Sequence, residues 1–185
     1  MKKIFLAVVV FLAIGVGSAS AQAVWGIRAG LSKPTVSGGG ESIDGNFGLE
    51  VGPVLYYAVK DNFYINSGAM FSVKSFDFDN GGGGSSESLS MYYLDVPLNF
   101  GYSFPIGDLS FYGQAGPFIG IKLSESEESG LGSFNAGLGA MFGINLNKFK
   151  IECGYQLGLV NVLKEADDNE KLTLSSLFLG VSYVF

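Results

Sequence analysis

A chain of 185 residues, 48% hydrophobic, 14% aromatic and 15% charged, suits one domain and is too apolar and too weakly charged to be disordered. Its 28 glycines follow no three-residue period, which excludes collagen, and its single cysteine excludes a disulfide scaffold. With no histidine and a net charge of −6, it lacks the commonest general base, the commonest metal ligand and the basic surface that nucleic acid requires.

The chain opens with Lys2 and Lys3, continues with the apolar run Ile4 to Val16, and reaches the small residues from Gly17 to Ala23. This is the three-part plan of a secretory signal peptide over residues 1–23, with cleavage after Ala21 or Ala23. The apolar run is short of the roughly 20 residues that span a bilayer. No cysteine follows either cleavage site, as a lipoprotein would need. Without Lys2 and Lys3, nine basic residues face seventeen acidic ones, a net charge of −8.

Beyond the leader the sequence alternates. Residues 24–32 place Trp25, Ile27, Ala29 and Leu31 on one face. The same period of two runs through 46–58, 62–74, 92–104, 109–122, 133–146, 149–160 and 176–185. In 92–104, for example, Tyr92, Leu94, Val96, Leu98, Phe100, Tyr102 and Phe104 alternate with Tyr93, Asp95, Pro97, Asn99, Gly101 and Ser103. That predicts eight strands. Lys60-Asp61, Pro105 to Asp108 and Asn147-Lys148 are tight turns between them, whereas 33–45, 75–88, 123–132 and 161–171 are long and polar. Short turns on one side and long loops on the other are the pattern of an outer-membrane barrel.

The face opposite the apolar one decides between a soluble and a membrane barrel. It carries Gly26, Gly30, Gly48, Gly52, Gly116, Gly120, Gly137, Gly139, Gly143, Gly154 and Gly158 with a few polar groups. Such a face is too bare to meet water, and it suits the inside of a narrow barrel. The large side chains then face lipid, and Cys153 with them. The prediction is an all-β protein: residues 24–185 form an eight-stranded antiparallel up-and-down transmembrane β-barrel in the outer membrane. Trp25, Tyr57, Phe63, Phe104, Phe111, Phe149, Tyr183 and Phe185 fall near the turn side, where they would form an interfacial girdle. Pro53, Pro97 and Pro117 lie inside predicted strands, where bulges or a less regular wall are expected.

The inward set carries Arg28, Glu50, Asp95, Lys122, Lys150 and Glu152. Mixed charges in a narrow lumen are expected to pair and plug it, with Arg28 beside Glu50 and Asp95 or Glu152 reaching across. The functional alternative is a selectivity ring in a conducting pore. The long loops hold twelve of the seventeen acids against Lys33, Lys164 and Lys171. They read as a solvated acidic surface open to an extracellular partner. The alternative is a divalent-cation site at Asp77-Phe78-Asp79 or Asp167-Asp168-Asn169-Glu170, neither with EF-hand spacing. Gly137 to Gly143 has the wrong spacing and context for a dinucleotide fingerprint, and Gly81 to Gly84 is a loop tip. No cofactor and no catalytic residue is called for, because the familiar barrel-enzyme chemistries depend on a histidine.

Several motifs resemble a known family. The chain ends in Val181, Tyr183 and Phe185 at alternate positions, which looks like the terminal signal read by the barrel-assembly machinery. Tyr93-Leu-Asp-Val-Pro97-Leu resembles a strand of the outer membrane protein beta-barrel domain family, the porin-like small barrels that include PorT-type proteins; Asp95 stands where that family often has Glu. Gly26 to Leu31 and Ala115 to Phe118 resemble its first and fifth strands. The resemblance implies an OmpA- or OmpX-like monomer in the Gram-negative cell envelope, with outer-membrane lipid around it. Its role would be structural or surface-directed. A narrow channel or a PorT-like secretion accessory is the alternative.

Overall fold

The structure is a computed structural model that describes residues 23–38, 41–79, 86–107, 109–123, 133–162 and 172–185. The predicted leader up to residue 22 and the loop tips at 81–84, 124–132 and 163–171 lie outside the described residues. The elements are β1 (Ala23–Gly38), β2 (Glu41–Asp44), β3 (Gly48–Lys60), β4 (Phe63–Gly68), β5 (Met70–Asp79), β6 (Ser86–Ile106), β7 (Leu109–Lys122), β8 (Phe134–Leu146), β9 (Phe149–Gly158) and β10 (Thr173–Val184). Each strand is antiparallel to its neighbours, and the sheet closes because β1 pairs with both β3 and β10.

β4 and β5 are two pieces of one wall strand, so eight strands make the ring. Starting at Ala23, the cross-strand partners are Tyr57, Ile65, Phe100, Ala115, Ala140, Tyr155 and Leu177 in turn. Leu177 pairs with Lys33, ten residues above the start. This displacement tilts the strands by about 35–45° and brings the lumen down to side-chain width. Closure also removes the open sheet edges whose backbone groups would otherwise face hydrocarbon.

The three short turns are at the end that holds Ala23 and Phe185. Each contains one residue with positive φ: Asp61 (47°), Gly107 (61°) and Asn147 (58°). These residue types tolerate the left-handed region, which explains how two strands reverse in so little chain.

The prolines act differently from the bulges expected of them. Val54 faces Gly68 below Pro53 and Val51 faces Phe71 above it, so the register runs straight through. What is lost is one bond. Ala69 N–H donates to Pro53 O at 3.1 Å, and Pro53 has no N–H to return, which splits β4 from β5. Pairing likewise lapses between Pro97↔Phe118 and Phe100↔Ala115 without a shift. The register shift between β3 and β4 falls at Ala58/Lys60, beside the turn.

Strands also run further on the loop side than the alternation indicates. β1 pairs with β10 as far as Ser37↔Thr173, β5 with β6 as far as Asp79↔Ser86, and β2 adds a hairpin on β1. Above the membrane a strand needs no apolar face, so backbone pairing continues where the hydrophobic pattern stops. The β1–β2 hairpin is pinned by Asp44, which accepts from Lys33 Nζ at 3.0 Å and Thr35 Oγ1 at 2.9 Å. These contacts, the Lys33 hydrogen bond first, hold the Asp44 carboxyl below its usual range. A depressed carboxyl supports folding above its unfolded value, about 3.9, and that support goes as pH falls through the folded value. Asp44→Asn should therefore loosen this hairpin at neutral pH with no change in barrel melting. NMR shifts of Thr35 and Ile43 would show it, and unchanged shifts would reject it.

Candidate functional site

Partners across each ladder share a face, so the register assigns every wall residue to lumen or lipid. The large side chains look out: Leu98 is 43% exposed, Leu138 54% and Leu179 59%. Arg28, Glu50, Asn66, Ser72, Lys74, Asp95, Gln114, Glu152 and Ser182 are all buried in the lumen. This is the inverse of a soluble globule and is what a lipid solvent demands.

From the turn side upward the lumen fills in layers. The first is a lysine among tyrosines. Lys150 Nζ lies 4.2, 4.5 and 5.4 Å from the ring centroids of Tyr56, Tyr112 and Tyr64. Each contact is a cation–π attraction, stronger for being out of bulk water. The rings fit because glycines lie beneath them. A side chain on Gly101 would run into the Tyr64 ring, and one on Gly143 would come within 2.5 Å of Tyr112 Cζ.

The second layer is a buried ion pair. Arg28 Nε and Nη2 donate to the two oxygens of Glu152 at 2.6 and 3.2 Å. Ser182 Oγ and the Tyr112 hydroxyl donate to the same carboxylate at 2.5 and 2.6 Å. Four donors on one carboxylate are the compensation a buried charge needs. Beside it, Gln114 Nε2 donates to Asn66 Oδ1 at 3.4 Å and to Met141 Sδ at 3.2 Å, and Gln114 Oε1 accepts from the Tyr64 hydroxyl at 3.1 Å.

Phe178 comes next, with the Arg28 guanidinium 5.7 Å from its ring centroid. Above it Lys74 Nζ pairs with Asp95 Oδ2 at 3.1 Å, which also accepts from Ser72 Oγ at 2.6 Å. Lys74 Nζ also lies 4.6 Å from the Tyr93 ring centroid. Toward the loop side lies an apolar cluster: Phe76, Met91, Tyr93, Val162 and Leu174, with Val36 and Leu172 packed against it. Val162 and Leu172 come from the β9–β10 connection, folded inward by the Val162 N–H to Leu172 O bond of 2.9 Å.

The inward charges thus form two groups rather than one. Arg28 pairs with Glu152 and not with Glu50. Its cross-strand partner on β3 is Gly52, while Glu50 faces Gly30 and Ser72 higher in the wall. Strand tilt brings Glu152, two strands away, level with Arg28. Glu50 is buried and makes no ion pair among the described residues; the charges acting on it come from Asp95, Arg28, Lys74 and Glu152. Lys122 is half-buried opposite Tyr93 near the loop-side rim, and has an interaction of its own. Lys74 was missing from the predicted set. The alternation of Phe71 and Val73 outward puts it inward, so the signal was there.

The terminal residues face lipid. Val181 is 44% and Phe185 70% exposed, and the Tyr183 ring packs 5.2 Å from Phe149 and 5.5 Å from Phe185. A second cluster at the same edge joins Phe63, Tyr102 and Phe104 at 4.6 and 4.7 Å. Of the loop acids, Glu41 and Asp44 lie in β2, and Asp77, Asp79 and Glu87 in the β5–β6 hairpin. Glu125, Glu127, Glu128, Glu165, Asp167, Asp168 and Glu170 lie outside the described residues. Among the described residues no three His, Cys, Asp or Glu side chains are placed to hold a metal ion.

Solved structures with the same architecture are small outer-membrane barrels. Neisserial surface protein A matches with a TM-score of 0.53 at 15% identity, over 87% of this chain and 97% of its own. OprG from Pseudomonas aeruginosa matches at 0.51 and 16% identity, over 89% and 97%. Outer membrane protein AlkL matches at 0.51 and 17% identity, over 91% and 94%. At these identities the likeness is one of fold. No curated protein sequence matches the chain. The family model described as "Outer membrane protein beta-barrel domain" matches residues 18–164, most of the barrel, and with the closed eight-stranded wall and its lipid-facing exterior this chain belongs to that family of outer-membrane proteins.

Proposed function

We propose that this protein is a sealed, non-catalytic barrel that works through its surfaces, anchored in the outer membrane and presenting its acidic loops outside. The observation that carries this reading is the lumen. A lysine–tyrosine layer, a four-donor ion pair and an apolar cluster toward the loop side fill it in series. An eight-stranded barrel leaves width for side chains and little else. Of the lumen carboxylates, Asp95 and Glu152 are paired with Lys74 and Arg28, Glu50 has no ion-pair partner among the described residues, and the chain has no histidine to act as a base beside it. Val181, Tyr183 and Phe185 supply the signal for the assembly machinery on this reading.

The test is electrical. Purified barrel in a planar bilayer should give no stepwise currents at neutral pH. Discrete, reproducible conductance steps would instead support a narrow channel. Co-purification with secretion components from native membranes would favour an accessory role over free loop display.

A further inference from the structure

Between the Arg28–Glu152 pair and the loop-side apolar cluster, the lumen holds oxygens that bond to nothing. Ser32 Oγ, Asp95 Oδ1, Asn135 Oδ1 and Ser176 Oγ have no hydrogen-bond partner, and none of these residues is more than 4% exposed. Glu50 is 3% exposed and makes no ion pair among the described residues. Buried polar groups are rarely left unbonded, and a buried charge still less so. Several of them in one region call for a partner.

The register brings these groups together. Glu50 and Ser72 face each other across β3 and β5, and Ser72 Oγ donates to Asp95 Oδ2 at 2.6 Å. Asp95 Oδ1 lies over Gly120 on the next strand. A Cβ at Gly120 would collide with it and come within 3.6 Å of Asn135 Cβ. On the other side, Ser32 Oγ lies 3.5 Å from where Gly48 would carry a Cβ, and Gly48 shares a face with Glu50. Ser176 is one diagonal step from Ser32 across the β1–β10 ladder. Gly48 and Gly120 have no side chains to fill the space between these groups. Below, the Phe178 ring lies across Gly30, with the Arg28 guanidinium 5.7 Å from its centroid. Above, Lys74 Nζ lies 4.6 Å from the Tyr93 ring centroid.

The charges of the lumen leave one carboxylate over. Lys74 neutralises Asp95 through Oδ2 alone. Arg28 is bound to Glu152, Lys150 lies among tyrosine rings at the turn side, and Lys122 is at the rim with an interaction of its own. Water could bond the hydroxyls, but it would leave the Glu50 charge unbalanced. Oxygen donors without nitrogen or sulfur suit a hard cation, and one surplus negative charge suits a monovalent one. We propose that this region of the lumen is a binding site for one small monovalent cation of the sodium type, held by the Glu50 and Asp95 carboxylates with oxygens of Ser32, Asn135 and Ser176.

The experiment is refolding of the full barrel from urea into detergent, with sodium chloride or choline chloride at equal ionic strength. Choline is too large for a lumen of side-chain width. Mildly alkaline buffer keeps protons from competing. The wild-type melting temperature, followed by circular dichroism, should climb with each increment of sodium, as for any ligand that binds only the folded state. It should not climb with choline. Glu50→Gln should melt alike in both salts. Ser32→Ala should need several-fold more sodium for the same rise, and it carries the test if Glu50→Gln does not fold, as judged by heat-modifiable gel mobility. Asp44→Asn, an exposed carboxylate outside the lumen, should follow the wild type. Crystals grown with thallium(I) in place of sodium should show one anomalous peak beside Glu50. A wild type that melts alike in both salts would overturn the proposal and leave the region to water or to a proton on Glu50. So would a sodium effect that the lumen variants retain undiminished, since that would be a general salt effect.

Discussion

Arg28→Ala should sharply lower the melting temperature of the barrel in detergent. The guanidinium and the Glu152 carboxylate are both fully buried, 2.6 Å apart. Removing the arginine leaves a carboxylate held only by the Ser182 and Tyr112 hydroxyls. Breaking such a pair from one side costs about 3–5 kcal/mol, because the remaining charge is stranded away from water. Glu152→Leu should cost a similar amount, with Arg28 now the orphan. The double change Arg28→Met with Glu152→Leu should recover part of the loss, since no charge is then left unpaired. Melting curves followed by circular dichroism would read all three. A wild-type curve for Arg28→Ala would show that this pair does not hold the wall together.

Gly143→Val should be nearly as damaging, although it removes no charge. A Cβ at this position would come within 2.5 Å of Tyr112 Cζ and 2.6 Å of Ile151 O. The backbone oxygen belongs to the β9 ladder and cannot retreat, so the tyrosine must move. Moving it breaks the 2.6 Å bond to Glu152 and the contact with Lys150. Overpacking costs about 1–3 kcal/mol, and a hydrogen bond to a charged group about 1.5–3 kcal/mol. The sum should appear as a large fall in melting temperature, or as failure to assemble. Gly113→Leu provides the contrast: Gly113 is paired with the lipid-facing Phe142, so the new side chain enters lipid and touches no layer of the lumen. If Gly143→Val melts with the wild type, the ring-over-glycine packing is not what fills the turn-side lumen.

Alternation alone made most of the wall legible. Leu177, Leu179, Val181, Tyr183 and Phe185 are on one face because successive side chains of a strand point opposite ways, whatever else surrounds it. The same rule puts Arg28, Glu50, Asp95, Lys150 and Glu152 in the lumen, and Lys74 with them, since it follows the outward Val73 at the end of the 62–74 run. The contrast of bare and bulky faces was enough to turn the barrel inside out relative to a soluble one. Where the apolar face was no longer needed, the signal stopped. The outer halves of β1, β5 and β6 and all of β2 pair through backbone that carries no hydrophobic pattern.

Composition and period two therefore determined the strand count, the direction each side chain points and the solvent the wall must face, since these depend only on local geometry and on what lipid excludes. Which inward groups meet was decided by closure. A displacement of ten residues around eight strands lifts Glu50 above Arg28 and brings Glu152 level with it, and no stretch of one strand carries that information.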